Sequence, residues 1–112
     1  MRYSKYKNKK VVVDGIEFDS KKEANRYKEL KLLEKSGEIK DLELQKVFEL
    51  IPSFKKNGKT YRKTTYKADF SYFDTKEGKY KVEDVKGFKT DIYKLKKKMF
   101  EYKFKELELK EV

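Results

Sequence analysis

The stretch YKVEDVKG, residues 80–87, alternates like a β-strand but carries charged residues at its far end. Asp84 and Lys86 are two positions apart, so in a strand their side chains point to the same face. A strand that only contributed to a core would not need an acid and a base at this spacing. The pattern therefore raises the hypothesis that Asp84 and Lys86 act together on a substrate.

A second acid is expected beside this pair because of the turn that precedes it. The residues TKEG, 75–78, are predicted to form a four-residue turn that pairs Asp74 with Lys79. Continuing this register places Asp69 directly opposite Asp84, with their Cβ atoms about 4.5–5.5 Å apart. The two carboxylates then share one face of the predicted hairpin.

Directly opposed carboxylates repel each other and destabilise a hairpin unless a cation lies between them. Mg²⁺ suits such a place, because it prefers one or two carboxylates, several waters and a substrate phosphate. Bound Mg²⁺ or Mn²⁺ could generate hydroxide and stabilise a phosphoryl transition state. Lys86 could orient or deprotonate the attacking water, or bind the phosphate. The alternative interpretation is a solvated strand end, since lysines and acids are frequent throughout the chain.

The neighbouring residues Glu83 and Val85 are predicted to point to the opposite face of the same strand. Glu83 is expected to be exposed or salt-bridged there. A register error of one residue would exchange it with Asp84. Glu83→Gln is therefore the natural control, expected to retain activity, for any test of Asp84.

The absence of histidine and cysteine excludes several kinds of catalytic site. Disulfides, thiolate-ligated or histidine-ligated zinc, and serine–histidine triads are all impossible. Catalysis by this chain must depend on carboxylates, lysines, tyrosines or a hard metal ion.

The net charge of +11 is typical of a protein that binds a polyanion, so a nucleic acid is the expected partner. Charged residues make up 46% of the chain, against roughly 25% in an ordinary domain. Most of the basic residues are lysines, and such a bias can also reflect a coding preference, with the lysines on a solvated surface. Nine tyrosines, eight phenylalanines and a clear periodicity indicate a folded chain despite its charge.

The length of 112 residues suits one domain. Residues 1–9 are predicted to form a basic N-terminal arm, and residues 10–112 a single domain. No apolar run approaches the ~18 residues of a membrane span, and no signal peptide is visible. The expectation is a cytosolic protein without membrane association.

The first half of the domain is predicted to contain a hairpin and a helix. Asp14 and Gly15 between two short apolar runs indicate a two-residue hairpin turn. A helix is expected from Ser20, as N-cap, to a C-terminal cap at Gly37. Its apolar stripe comprises Ala24, Tyr27, Leu30 and, at one edge, Leu33.

Strands are expected to follow. The alternating run 38–52 predicts one strand, bent near Gln45, and the run 60–74 predicts a long strand before the TKEG turn. The residues KKNGK, 55–59, form a turn between these two strands.

A second helix is predicted to begin at Thr90 or Asp91. The last eight residues, KELELKEV, alternate and predict a short strand at a sheet edge. The buried stripe of the second helix is predicted to contain Ile92, Leu95, Met99 and Tyr102, with Phe100 beside it.

The acids and the order of elements together resemble the PD-(D/E)XK nuclease superfamily. An Asp on one strand, followed by Asp-x-Lys near the end of the next, is the pattern of that superfamily, whose common core also runs helix, three strands, helix, strand. Nearly the whole chain is further similar to a small phage and prophage family within it. The stretches that carry this similarity are SKYKNKKVVVDGIEFDSKKEANRY, GEIKDLELQ, YKADFSYF and VEDVKGFKT.

The resemblance implies an α/β, restriction-endonuclease-like core, with a mixed β-sheet flanked by helices and an N-terminal β-hairpin. It implies a Mg²⁺- or Mn²⁺-dependent endonuclease that hydrolyses DNA phosphodiesters, similar to Holliday junction resolvases and related structure-selective nucleases. Such a protein would process phage DNA in the cytoplasm of a bacterial host. Ala68 stands in place of the name-giving proline, which varies widely among members.

Carried over to this chain, the resemblance implies that Asp69 and Asp84 bind the metal and that Lys86 is the catalytic lysine. The backbone carbonyl of Val85 adds a ligand, as in relatives. Glu23, on the first helix, completes the acidic cluster directly or through a water.

Two of these residues have rival structural roles. Glu23 is the fourth residue of a capping box that begins at Ser20, where its side chain would bond the Ser20 backbone N–H. Gln45 could line the active site from the neighbouring strand, or could be an ordinary strand residue.

Phosphate contacts are expected around the start of the second helix, where backbone N–H groups point outward. The N-terminal arm could follow a duplex backbone in the same way. The alternative in both places is a solvated lysine surface. The residues in question are Lys9, Lys10, Lys89, Thr90, Lys94, Lys97 and Lys98.

Two functions of other classes compete with the nuclease hypothesis. One is a phage nucleic-acid-binding protein without catalysis, and the other is a small interaction protein whose charge only keeps it soluble. A homodimer is a further hypothesis, because symmetrical cutting of two strands favours a two-fold dimer.

Overall fold

The computed structural model describes residues 9–85 and 89–112. Residues 1–8, which form most of the predicted arm, lie outside the described residues. Within the described ranges lie two helices, α1 (Lys21–Lys35) and α2 (Asp91–Lys103). The strands, in chain order, are β1 (Val11–Val13), β2 (Ile16–Phe18), β3 (Ile39–Leu44), β4 (Val47–Ile51), β5 (Phe54–Lys56), β6 (Lys59–Tyr61), β7 (Thr64–Lys67), β8 (Phe70–Asp74), β9 (Lys79–Asp84) and β10 (Glu108–Glu111).

The centre of the fold is a four-stranded mixed sheet in the order β10-β9-β8-β3. β10 runs parallel to β9, and the other neighbours are antiparallel. The strands β1 and β2 form a separate N-terminal hairpin, as predicted from Asp14 and Gly15. The expected mixed α/β architecture is therefore confirmed, and β10 occupies a sheet edge as predicted.

Two apolar clusters hold the helices against the sheet. Because side chains alternate along a strand, Phe70 and Tyr72 of β8 face the α1 cluster, and Val82 of β9 faces the α2 cluster. The α1 cluster consists of Phe18, Ala24, Tyr27, Leu30, Ile39, Phe70 and Tyr72. The α2 cluster consists of Phe48, Leu50, Tyr66, Ala68, Val82, Tyr93, Phe100 and Leu109.

Local signals set the ends of α1 as predicted. The Ser20 hydroxyl accepts a hydrogen bond from the Glu23 backbone N–H at 3.1 Å, which satisfies one of the free donors of the first turn. Gly37 follows the helix with φ of +86°, a conformation that glycine adopts without strain. The predicted residues Ala24, Tyr27 and Leu30 are buried.

The buried face of α2 differs from the prediction. The helix begins at Asp91 after the N-cap Thr90, whose hydroxyl accepts from the Tyr93 N–H at 3.0 Å. Tyr93 and Phe100 are buried, because the Phe100 ring packs against Phe48 and Tyr66 and the Tyr93 ring against Tyr66. The predicted stripe faces the other way: Met99 is half-buried, whereas Ile92, Leu95 and Tyr102 are 68%, 55% and 75% exposed.

The first long predicted strand, 38–52, is divided in two, and the second, 60–74, is divided in three, with breaks at residues 62–63 and 68–69. The first changes direction at Gln45, which has φ of +59°, and the second is interrupted at Ala68 and Asp69. The breaks at Gln45 and at residues 68–69 lie against each other, since Gln45 N donates to the Asp69 carbonyl at 3.1 Å and Ala68 N to the Lys46 carbonyl at 3.0 Å. Beyond them, β4 and β7 pair outside the four-stranded sheet.

Neither of the helices in the described part of the chain is long and apolar enough to cross a membrane.

Candidate active site

The paired strand breaks bring three predicted site residues into one hydrogen-bonded chain. The Gln45 amide nitrogen lies 3.3 Å from Oδ1 of Asp69 and 3.4 Å from Oε2 of Glu23. The other Asp69 oxygen, Oδ2, accepts from the Val85 backbone N–H at 2.8 Å. Side chains from α1, from the β3–β4 corner and from the residue before β8 thus meet beyond the end of β9.

The predicted register is confirmed along β8 and β9. Asp74 pairs with Lys79, and the ladder continues in that register to Phe70 and Glu83. The last predicted pair, between Asp69 and Asp84, is not part of the ladder. Asp69 precedes β8, and its carboxylate reaches past the strand end to the Val85 N–H.

The site is most open on the side of Gln45 and closed around Asp84. Gln45 is exposed and Asp69 is half-buried, whereas Glu23 and Asp84 are 7% and 0% exposed. Asp84 shares the α2 side of the sheet with Tyr93. Burial, a hydrogen bond to Glu111 and the negative charge of Asp84 all raise the pKa of Tyr93.

Glu23 is positioned by the first turn of α1. Its backbone N–H is held by Ser20, which is the half of the predicted capping box that the described contacts show. Its carboxylate is buried beside Gln45 rather than spread into solvent. Gln45 thus lies between the carboxylates of Glu23 and Asp69, and the roles predicted for Glu23 and Gln45 stay predictions.

Lys86, the predicted catalytic lysine, lies outside the described residues. Val85, the predicted backbone ligand, has its N–H bonded to Asp69. Among residues 9–85 and 89–112, no group of three or more carboxylates lies close enough to hold a metal ion without rearrangement. Aspartate and glutamate oxygens are nevertheless the hard donors that Mg²⁺ prefers, and one or two of them suffice when waters complete the shell.

Comparison with protein-family models gives a match over nearly the whole chain. The family model described as "Protein of unknown function (DUF1064)" matches residues 3–112. The chain belongs to this family. Comparison with the curated proteins and with the solved structures finds no match.

A buried ion pair of this DUF1064 protein lies directly behind the acidic cluster. Arg26 Nε and Nη2 donate to Oε1 and Oε2 of Glu83 at 2.7 and 2.6 Å, a side-on geometry that gives two parallel bonds. The Tyr72 hydroxyl also donates to Oε2 of Glu83. The hydrogen bond to Glu83 raises the pKa of Arg26, and burial first, then this same carboxylate, raises that of Tyr72.

The prediction that Glu83 is exposed or salt-bridged is therefore confirmed in its second alternative. Glu83 is salt-bridged on the face opposite Asp84, but it has no exposed surface. It connects β9, which carries Asp84, to α1, which carries Glu23. Sequence reasoning missed Arg26, because a single arginine beside an apolar helical stripe is usually a surface residue.

A second missed group occupies the α2 side of the site. The Tyr93 hydroxyl donates to Oε2 of Glu111 at 2.7 Å, and Lys89 Nζ lies 3.0 Å from Oε1 of the same carboxylate. These two contacts, the tyrosine hydroxyl first, lower the pKa of Glu111. The Val112 backbone N–H donates to the Asp84 carbonyl at 2.9 Å, so the chain end also packs beside Asp84.

The predicted phosphate-binding residues are on the surface of this DUF1064 domain, but some already have contacts. Lys89 pairs with Glu111, and Thr90 caps α2. Lys97 lies 3.8 Å from Glu101, and Lys10 lies 3.6 Å from Asp19. The exposed members are Lys9, Lys10, Lys89, Thr90, Lys94 and Lys98.

Proposed function

We propose that the protein is a metal-dependent DNA endonuclease of the PD-(D/E)XK superfamily, selective for branched or junction DNA. In this proposal it acts during phage DNA processing in the cytoplasm of a bacterial host. The observation that carries the proposal is the meeting of Glu23, Gln45 and Asp69 at the end of β9, next to Asp84. These four residues are spread between positions 23 and 84 and come from α1, the β3–β4 corner, the position before β8, and β9.

The proposed roles follow from placement and chemistry. Asp69 and Asp84 would hold a divalent cation, Mg²⁺ or Mn²⁺, with the Val85 carbonyl and Glu23 as further oxygen donors. When bound, such an ion supplies an activated water and charge stabilisation at phosphorus. Gln45 holds the carboxylates of Glu23 and Asp69 together through one amide group.

Lys86 is proposed as the residue that binds the scissile phosphate and orients or deprotonates the attacking water. It follows Asp84 by two positions. A cation there would stabilise negative charge that develops in the transition state, which is commonly the largest single catalytic contribution.

A non-catalytic DNA-binding protein is the second candidate, and one observation favours it. Asp84 has no exposed surface, and the described residues contain no ready-made group of three carboxylates. A protein of this kind would use the net charge of +11 to bind DNA and would never cut it.

The deciding experiment is incubation of the full chain with end-labelled four-way junction, flap, single-strand and duplex DNA of matched sequence. Each substrate is tested with Mg²⁺, Mn²⁺ or a chelator. Cleavage that requires the metal and is fastest on a branched substrate supports the proposal. Tight binding without any cleavage under all metal conditions would establish the second candidate instead.

A prediction at Glu23 separates catalysis from helix capping. Gln can also close a capping box, so Glu23→Gln should preserve stability to within a few tenths of a kcal/mol apart from a small loss of helix-dipole interaction. Glu23→Ala should cost more, on the order of 0.5–1 kcal/mol. If Glu23 contributes to the metal site, Glu23→Gln should lower cleavage at least about tenfold at limiting Mg²⁺.

The measurements are urea unfolding for both variants and cleavage rates across a Mg²⁺ titration. Excess Mn²⁺ is expected to restore part of the activity of Glu23→Gln. A wild-type rate for Glu23→Gln at every Mg²⁺ concentration would leave Glu23 with a structural role and reduce the acidic cluster to Asp69 and Asp84.

A homodimer is part of the proposal, because symmetrical cutting of two strands favours two-fold symmetry. Sedimentation equilibrium with and without junction DNA tests this point. A species of one 13.6 kDa chain per junction would show that the monomer is the functional unit.

A further inference from the structure

A two-stranded ribbon extends from the domain through β4, β5, β6 and β7. After an irregularity between Glu49 and Ile51, Ile51 pairs with Thr64, and the same register continues to the Phe54–Tyr61 and Lys56–Lys59 pairs. Every residue from 51 to 63 is exposed. In the described part of the chain, β5 and β6 have extensive contacts with each other and with no other element. The outer part of the ribbon, residues 52–63, is therefore an arm, distinct from the N-terminal arm, and it contributes to neither the α1 nor the α2 cluster.

The arm is strongly and exclusively basic. Residues 52–63 contain five cations and no acid, and so contribute +5 to the total charge of +11. No acidic side chain within the arm is therefore available to offset them. The cations are Lys55, Lys56, Lys59, Arg62 and Lys63.

One face of the arm combines an aromatic pair with lysines. The rings of Phe54 and Tyr61 stack with centroids 4.9 Å apart and planes 12° from parallel, while the two residues stay 45% and 40% exposed. Lys59 Nζ lies over the Tyr61 ring at 5.2 Å. Because residues alternate along each strand, Lys56 lies on the same face as Phe54, and Lys59 on the same face as Tyr61.

The composition of this arm would not be expected if its only role were to stabilise the fold. An isolated two-stranded hairpin is marginally stable in water, and like charges on one face repel. The Phe54–Tyr61 stack offsets part of this, since an aromatic cross-strand pair contributes roughly 0.2–1 kcal/mol. A polyanion that contacts the lysines would remove the repulsion.

We propose that this arm, residues 52–63, is a DNA-binding element that lies in the major groove of duplex DNA. The inference rests on the proposed function for its choice of polyanion. Six residues from Pro52 to Asn57 span roughly 20 Å at the rise of a β-strand. The major groove is about 12 Å wide and admits a two-stranded ribbon.

The aromatic geometry favours duplex over single-stranded DNA. Single-strand binding usually depends on bases that stack on open aromatic faces. In this arm the Tyr61 ring stacks on Phe54 and also has the Lys59 ammonium group 5.2 Å from its centroid, so it is already engaged by neighbours within the arm. The stacked rings thus stabilise the arm. The lysine ammonium groups and the Arg62 guanidinium remain to contact phosphates and base edges.

The structure suggests a clean truncation of the arm. Ile51 and Thr64 are direct partners in an antiparallel pair, so an Asn-Gly two-residue turn can replace residues 52–63. A second variant, Lys56→Gln/Lys59→Gln/Lys63→Gln, keeps the arm and removes three of its five positive charges. The matched control is Lys28→Gln/Lys31→Gln/Lys35→Gln, which removes the same number of exposed lysines from α1.

Binding is measured by fluorescence anisotropy on a labelled duplex, in chelator so that no cleavage occurs, across a salt series. The truncation should weaken duplex binding at least about tenfold and reduce the slope of log K against log salt by about 3–4, because each lost phosphate contact lowers it by about 0.9. The triple variant should reduce the slope by about 2–3. The α1 control should change the slope by less than the triple variant.

An unchanged affinity and salt slope for both arm variants would overturn the inference. It would also be overturned if the truncation weakened binding to single strands while leaving duplex binding intact. The nuclease proposal is tested separately by metal-dependent cleavage of the same DNA by the wild-type chain. If the chain binds duplex DNA through the arm but does not cleave it, the inference about the arm stands and the nuclease proposal is rejected.

Discussion

Asp84→Asn is expected to abolish detectable metal-dependent cleavage, a loss of at least about 10²–10³ in rate, while the protein stays folded. Asn has the shape of Asp but cannot supply a charged oxygen to a cation. Asp84 is completely buried, so removing its charge should leave the free energy of unfolding unchanged or raise it. Cleavage rates and urea unfolding of the same preparation test both parts.

Asp69→Asn is expected to lose activity to a similar degree and to disturb local structure more. Its two oxygens accept from Gln45 and from the Val85 N–H, and an amide can present only one oxygen. The matched control is Asp41→Asn: Asp41 is exposed and has φ of +58°, which Asn tolerates. Wild-type cleavage by either site variant would show that the site is wrong.

Glu83→Gln, the control suggested by the sequence, is unsuitable because Glu83 is part of the buried ion pair. Its loss of charge would leave Arg26 with the exposed Glu29 as its charged partner instead of the buried Glu83. Any change in activity would then report altered structure as well as chemistry.

Arg26→Ala is expected to destabilise the fold by about 3 kcal/mol, at the low end for breaking a buried ion pair. The reason is that Glu83 has no exposed surface and loses the two bonds from Arg26. The low end applies because the Arg26 side chain is 22% exposed. The measurement is the urea midpoint at neutral pH, at which a carboxylate is normally ionised.

Two further variants make the Arg26 prediction specific. Arg62→Ala removes an exposed arginine from the basic arm and should leave stability within about 0.5 kcal/mol of wild type. The double variant Arg26→Met/Glu83→Gln removes the charge of both partners and should recover part of the loss. If Arg26→Ala unfolds at the wild-type urea concentration, the pair has no structural role.

Local signals in the sequence were sufficient for the parts of the fold that depend on neighbours along the chain. The TKEG turn determined the β8–β9 register, and Ser20, Thr90 and Gly37 determined helix ends. These signals act within a few residues, so no tertiary information is needed. The acids of the candidate site followed from that register and from the family resemblance.

The buried face of α2 could not be chosen from periodicity alone. The helix has apolar residues on two faces, one with Tyr93 and Phe100 and one with Ile92 and Leu95. Both patterns repeat with a helical period. Tertiary packing decided between them, because the Phe100 ring fits against Phe48 and other aromatic side chains of its cluster.

The strand breaks were also beyond sequence reasoning. The alternation of apolar residues continues through Gln45 and through Asp69, and neither is a glycine or proline that would mark a break. The bend expected near Gln45 is confirmed, but the change of sheet at that point depends on bonds to residues more than twenty positions away.

The paired breaks also divide the backbone amides into two groups that should exchange with solvent at different rates. Amides of β8 and β9 have strand neighbours on both sides and a helix on each face. The strands β5 and β6 each have one neighbouring strand, and their residues are exposed to solvent. Opening of the ribbon beyond the breaks therefore exposes little apolar surface and need not open the sheet. In native-state hydrogen exchange, the ribbon should lose protection by local fluctuation, while the central strands open only with the whole domain.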